Sequence, residues 1–200
     1  MKKNIQRQFI LGVFLVCLPL FVSAQEENNY FSRSLKTQNT GMYVLGSWAI
    51  LNLATGAYGW SQTTGDTKYF HQMNFFWNTV NISIAGIALY SNYTTDLTLL
   101  SNEELLNEQM KTERLLLINS GLDVLYIGTG FLLKGLSDRN AGRADLLKGY
   151  GNSLILQGGF LLVFDLILYG ILRTQRINFL EGMSLSVSDQ LYSFHYAFSF

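Results

Sequence analysis

Polar residues recur at helical spacing along one apolar segment of the chain, residues 69–92. At about 100° per residue, four of them fall within one quadrant of a helix: His71, Asn74, Asn78 and Asn81. The segment is long enough to cross a bilayer, and hydrocarbon cannot hydrogen-bond an amide. Such a polar face must therefore meet other helices or a cavity, so the pattern predicts a membrane helix with partners.

Three further apolar segments, residues 41–60, 115–133 and 149–172, supply those partners. Each has about 20 residues, the length needed to cross about 30 Å of hydrocarbon, and each carries a stripe of small or polar residues. The connections at 61–68 and 134–148 are turns by composition. The sequence thus predicts an all-α integral membrane protein, with an antiparallel four-helix transmembrane bundle over residues 41–172.

The longer connection between the second and third spans contains a helix start signal. Ser101, followed three residues later by Glu104, matches a capping box. We therefore expect a surface helix that begins near Asn102 and continues into the third span.

The N-terminus has a basic start, an apolar core and small residues at positions 23 and 24. This pattern predicts a signal peptide over residues 1–24, with an uncleaved first membrane helix as the alternative. Residues 25–40 are polar and predict a surface lead-in. In the tail, residues 173–200, aromatic residues alternate with small ones near the end, which favours a short β-hairpin.

A signal peptide implies a multi-pass protein of the inner (cytoplasmic) membrane, with the mature N-terminus and the tail extracytoplasmic. The predicted inner turn at 134–148 is basic, in agreement with the positive-inside rule. Arg173 and Arg176, just after the last span, do not agree with it.

Composition excludes several classes of function. Charged residues are 14% of the chain, its formal net charge is zero and it has no basic run, which argues against a nucleic-acid partner. The single cysteine, Cys17, lies in the leader, so the mature chain has no disulfide or catalytic thiolate. No cofactor or metal motif is present, and we predict neither.

Two acids, Asp123 and Asp165, lie deep inside predicted spans, with no Lys or Arg at comparable depth. Inserting such a group costs at least about 2.5 kcal/mol, so it is normally paired, neutral or lining a polar cavity. Asn119 or Tyr126 is the expected hydrogen-bond donor to Asp123. The candidate ligand-binding polar core comprises His71, Asn74, Asn78, Asn81, Asn119, Asp123, Gln157 and Asp165.

Three sequence strings carry a family resemblance: residues 69–81 (YFHQMNFFWNTVN), Gly46 to Asn52, and Gln157 to Asp165. Over residues 42–169 the chain resembles a family of small bacterial membrane proteins catalogued only as a domain of unknown function. The resemblance implies a signal-like leader and four spans, and it implies no activity or catalytic residue.

Three functional hypotheses fit these patterns. The first is a non-enzymatic membrane protein whose polar core binds a small ligand or lipid, or supports a membrane-protein partner or a second copy. The second is a transporter or channel subunit that uses Asp123 or Asp165. The third is an intramembrane enzyme that uses His71, although a lone histidine on this face is more typical of an interfacial hydrogen-bonding residue. The alternative role for the buried amides is structural, as hydrogen bonds between helices.

Overall fold

The computed structural model describes the backbone of residues 2–96 and 99–197, and the side chains of residues 30–96 and 99–182. The described chain is all-helical, as predicted. Its helices are α1 (Lys2–Gln62), α2 (Gly65–Thr94), α3 (Asn102–Ser137) and α4 (Ala144–Ala197), and a 3-10 turn at Ala141–Arg143 precedes α4. They form a bundle in which α1 packs on α2, α3 packs chiefly on α4, and α2 also packs on α4.

The helix start predicted at Ser101 is present. The Ser101 hydroxyl accepts a hydrogen bond from the Glu104 N–H, and the Glu104 carboxylate accepts one from the Ser101 N–H. These bonds to Ser101 hold the pKa of Glu104 below its usual range. At the other end of the bundle, α1 and α2 are joined by two residues, and α2 begins at Gly65 with φ +63°, a conformation that favours glycine.

Glycines allow close packing within each helical pair, α1 with α2 and α3 with α4. A Cβ at Gly56 of α1 would lie 3.0 Å from the carbonyl oxygen of His71 in α2. A Cβ at Gly130 of α3 would lie 2.7 Å from the carbonyl oxygen of Gly151 in α4. A side chain at Gly130 would push α3 away from α4, so glycine at this position allows the two helices to pack closely.

The bundle is polar inside and apolar outside. The most buried described side chains include amides, hydroxyls and acids, while every helix exposes large apolar residues. The exposed set includes Val44, Ile50 and Leu51 of α1, Val80, Ile84 and Ile87 of α2, Ile118 and Leu125 of α3, and Val163, Ile167 and Ile171 of α4. An apolar surface of this extent is unusual for a soluble monomer and marks contact with a partner or a membrane.

Within the described residues, two helical segments are long and apolar enough to cross a membrane. They are Asn102–Ser137 and Ala141–Gly182. The described part of α1 and the whole of α2 do not reach that hydropathy, because their buried asparagines lower the mean.

The predicted β-hairpin in the tail is wrong for the described backbone, since α4 continues as a helix to Ala197. A strand needs a neighbouring edge for its backbone hydrogen bonds, whereas a helix that extends α4 satisfies them within itself. Residues 25–40, predicted as a polar surface lead-in, are helical and belong to α1. The predicted signal peptide, residues 1–24, lies outside the residues whose side chains are described, and it stays a prediction.

Candidate functional site

A network of amide side chains joins three helices in the middle of the bundle. The Gln157 amide of α4 donates to the side-chain oxygens of Asn52 in α1, at 3.2 Å, and of Asn74 in α2, at 2.9 Å. Its own oxygen accepts a hydrogen bond from the Trp48 indole N–H at 2.9 Å. The Ser153 hydroxyl adds a second bond to Asn74, at 2.7 Å. Gln157 therefore holds α1 and α2 against α4.

The remaining buried amides of α2 bond within their own helix. Asn78 is fully buried and donates to the carbonyl oxygen of Asn74, and Asn81 donates to the side-chain oxygen of Asn78. Because these groups have partners inside the protein, the network needs no ligand to satisfy it. Its arrangement supports the structural role for the amides.

Next to the network, α2, α3 and α4 enclose a cavity of about 290 Å³. The lining residues of α2 and of α3 are three, four and seven positions apart, and those of α4 are three and four apart, which is the spacing of one helix face. Those residues are Trp77, Val80, Asn81 and Ile84 of α2, Asn119, Leu122, Asp123 and Tyr126 of α3, and Leu161, Phe164 and Asp165 of α4, with Leu45 of α1. The cavity therefore follows about two turns of α2 and α3 and about one turn of α4.

The two acids that lie in apolar segments of the sequence, Asp123 and Asp165, both line this cavity, from different helices. Asp123 is 2% exposed and Asp165 is 5% exposed. Oδ2 of Asp123 is buried and has no hydrogen-bond partner in the described part of the chain. Neither predicted donor reaches it: Asn119 is exposed at the cavity rim, and the Tyr126 ring packs on Trp77. Oδ2 of Asp123 is thus buried without a partner, unlike the buried amides of the network.

Three aromatic rings line the cavity. Trp77 and Tyr126 meet edge to face with centroids 4.7 Å apart, which bridges α2 and α3, and Phe164 lies on the α4 wall. No Lys or Arg is among the lining residues. The site is an apolar and aromatic chamber with two acids and no cation of its own.

The network and the cavity fall within a single family match. A model described as a family of unknown function (DUF6992) matches residues 44–166, more than half of the chain. The chain belongs to this family. The DUF6992 match begins just before Trp48 and ends just after Asp165, so it contains the amide network, both acids and their aromatic neighbours. No curated protein and no solved structure matches the chain.

His71, also within the DUF6992 region, lies apart from the cavity. Its ring packs directly on Gly59 of α1, where a Cβ would come within 2.3 Å of it. Nδ1 of His71 is buried, and its side chain makes no hydrogen bond or ion pair with the described residues. Among those residues, no group of three or more His, Cys, Asp or Glu side chains could hold a metal ion.

A second polar cluster, which the sequence did not reveal, joins α1 and α4 to the first turns of α3. Arg176 and Glu113 form a bidentate ion pair at 2.9 Å and 2.9 Å, with Glu113 buried. Gln109 donates to the carbonyl oxygen of Leu172 at 3.1 Å and accepts a hydrogen bond from the Tyr30 hydroxyl. Glu113 lies inside the DUF6992 match, whereas Tyr30 and Arg176 lie outside it.

Burial and hydrogen bonding shift the pKa values of two members of this cluster, Tyr30 and Arg176. Burial raises the pKa of Tyr30 to about 12, although the hydrogen bond to Gln109 acts in the opposite direction. The hydrogen bond to Glu113 raises the pKa of Arg176.

Phe31, Leu105 and Phe179 pack around the Tyr30 ring, which stacks on Phe179 at 4.1 Å. The cluster ties the polar start of the described α1 to the bundle, which explains why Tyr30 and Phe31 are buried.

Proposed function

We propose that this chain is a four-span integral membrane protein that binds a small apolar ligand or a lipid in the cavity between α2, α3 and α4. The observation that carries the proposal is that two buried acids line this cavity and that Oδ2 of Asp123 has no hydrogen-bond partner among the described residues. Burying an acid at membrane depth costs at least about 2.5 kcal/mol. Nothing in the described bundle offsets that cost at Asp123, so a bound molecule is the natural partner.

The size and lining of the cavity support a ligand rather than packing imperfection. Its volume of about 290 Å³ is close to the lower end of the range for small-molecule sites, roughly 300–1,000 Å³. Such sites are mainly apolar and aromatic with a few convergent polar groups, and this lining has that composition. Empty cavities in proteins are normally apolar throughout, and a cavity with acids is not expected to be empty.

The exposed surfaces of α1 and α2 support four spans instead of two. Their buried amides, Asn52, Asn74, Asn78 and Asn81, face the bundle, whereas large apolar residues such as Ile50 and Ile84 are exposed. The exposed hydroxyls of Thr55, Thr79 and Ser83 donate hydrogen bonds to backbone carbonyls of their own helix. Lipid contacts only the outward face of each helix, so the mean hydropathy of the whole helix underestimates how well α1 and α2 fit a membrane. Tyr58 near one end of these helices and Tyr90 near the other are exposed, as in interfacial aromatic belts.

With four spans, the predicted signal peptide sets the orientation of the bundle. The turns near Thr64 and Gly142 face the cytoplasm, and the connection before Asn102 and the tail are extracytoplasmic. Cysteine labelling tests this directly, because the chain has only Cys17, which Cys17→Ser removes. In intact cells, an impermeant maleimide should label Asn102→Cys but reach Thr64→Cys and Gly142→Cys only after permeabilisation. Equal labelling of Thr64→Cys and Asn102→Cys would rule out an antiparallel membrane hairpin.

Native mass spectrometry in a mild detergent, with extraction of the molecules that co-purify, tests the binding site. Leu161→Trp should fill the cavity and remove a stoichiometric bound species, because Leu161 is part of the lining. Leu156→Trp is the matched control, since Leu156 lies on the exposed side of the same helix. Native protein with no bound species, or equal occupancy in both variants, would refute the site.

The second candidate is a transporter or channel subunit, which the position of both acids near the middle of the spans favours. It requires proton or cation flux that depends on Asp123 or Asp165. If proteoliposomes that contain the native protein remain impermeable to ions, the transporter hypothesis is excluded and the ligand-binding hypothesis still stands.

A further inference from the structure

We infer that the ligand is an amphiphilic amine, with a positively charged nitrogen held between Asp123 and Asp165 and an apolar body along the rest of the cavity. This inference rests on the proposed function and specifies its ligand. It depends on three features of the lining: the two acids, the aromatic rings and the exposed apolar rim.

The acids require hydrogen-bond donors or positive charge. Asp123 and Asp165 come from adjacent helices, and the lining contains no Lys or Arg that could pair with either. An ammonium group has three N–H donors and a positive charge, which suits a cavity lined by two carboxyl groups. A ligand with a carboxylate or phosphate would add negative charge to two buried acids and is disfavoured.

The aromatic rings favour the same charge. Trp77, Tyr126 and Phe164 line the cavity together with the acids. The faces of aromatic rings attract cations, and aromatic cages are a recurring device for recognising ammonium groups. A neutral alcohol could donate a hydrogen bond to one carboxyl group, but it would gain nothing from the rings or from the second acid.

The rim favours an organic amine over a metal ion. Val80, Ile84 and Leu122 line the cavity and are also exposed on the apolar outer surface, so the cavity is accessible between α2 and α3. In a membrane this opening faces lipid, which admits an alkyl chain and disfavours a hydrated ion. The lining has only two carboxyl groups, and among the described residues no group of three or more His, Cys, Asp or Glu side chains could hold a metal ion.

The test compares two probes with the same chain, dodecylamine and dodecanol, titrated separately against the purified protein in dodecyl maltoside at pH 7. At that pH an alkylamine is protonated, as lysine is. Binding is measured by native mass spectrometry and by the shift in thermal unfolding. The amine should bind at least about tenfold more tightly than the alcohol, as expected for a charge-assisted contact.

Asp165→Asn and Asp123→Asn should each reduce this preference to less than about threefold, because the charge is lost while the shape is kept. Asp145→Asn, in the exposed first turn of α4, should leave it unchanged. If an Asn variant does not fold, the native protein's preference between the two probes still decides the result. Equal affinity for amine and alcohol would overturn the amine assignment and leave the binding site standing. Binding of neither probe would count against the proposed function itself.

Discussion

Replacement of Gln157 by methionine tests whether the amide network holds the bundle together. Gln157→Met keeps the length of an unbranched side chain but removes every polar atom. Three hydrogen bonds between helices are lost, two donated by Gln157 and one received from Trp48. The Asn74 oxygen keeps its bond from Ser153, while the Asn52 oxygen and the Trp48 N–H lose their partner on α4.

The magnitude follows from these contacts. Hydrogen bonds between membrane helices contribute about 0.6 kcal/mol on average and about 1.7 kcal/mol at most. Three of them give about 2–5 kcal/mol, and replacement by an apolar side chain of similar length recovers part of it. We expect Gln157→Met to lower the free energy of unfolding by about 2–4 kcal/mol.

The assay is reversible unfolding in mixed micelles, followed by tryptophan fluorescence and circular dichroism. Leu154→Met, a buried apolar position on the same helix, is the matched control and should cost less than about 1.5 kcal/mol. A double-mutant cycle with Trp48→Phe should give a coupling energy of about 0.6–1.7 kcal/mol. If Gln157→Met costs no more than Leu154→Met, the network does not stabilise the bundle and the reasoning fails.

Three other predictions follow from the packing and the second polar cluster. The pKa of Tyr30 is raised to about 12 by burial, so its phenol contributes stability that is complete below pH ~10 and lost as the pH rises through 12. Tyr30→Phe should weaken this alkaline loss in a pH series of unfolding; an identical pH profile would contradict it. Breaking the buried ion pair with Glu113→Gln should cost about 3–5 kcal/mol, and Arg176→Met in the same chain should recover part of that loss. If the losses in the free energy of unfolding from Glu113→Gln and Arg176→Met simply add in the double variant, the two side chains are not energetically coupled. Gly130→Ala should destabilise the bundle because its Cβ meets the α4 backbone, whereas Gly128→Ala has open space and should be neutral or stabilising; equal effects on thermal unfolding would refute the contact.

Local periodicity was sufficient to find the buried face of α2. Asn74, Asn78 and Asn81 are all buried, as the helical spacing predicts. The same reasoning was less accurate for α3, where Asn119 is exposed and Ser120 is buried. The rotation of α3 depends on its close contact with α4 at Gly130, and periodicity within one helix carries no information about a contact with another.

The tail shows the limit of a two-residue period. Alternating serines and apolar residues after residue 183 predict a strand, but the backbone remains helical to Ala197. Alternation specifies a strand only where one face is buried against a core and a neighbouring edge accepts the hydrogen bonds. Neither condition can be established from the segment alone.

By itself, the sequence determined the helical class, the capping box at Ser101 and the unusual presence of Asp123 and Asp165 in apolar segments, because each depends on residues close together in the chain. Only the tertiary structure decided the partners of these groups. It placed both acids around one cavity while the amides found each other, and it paired Glu113 with Arg176 across 63 positions. Such contacts depend on how four helices rotate and approach, which is set by close glycine contacts and polar partners between helices.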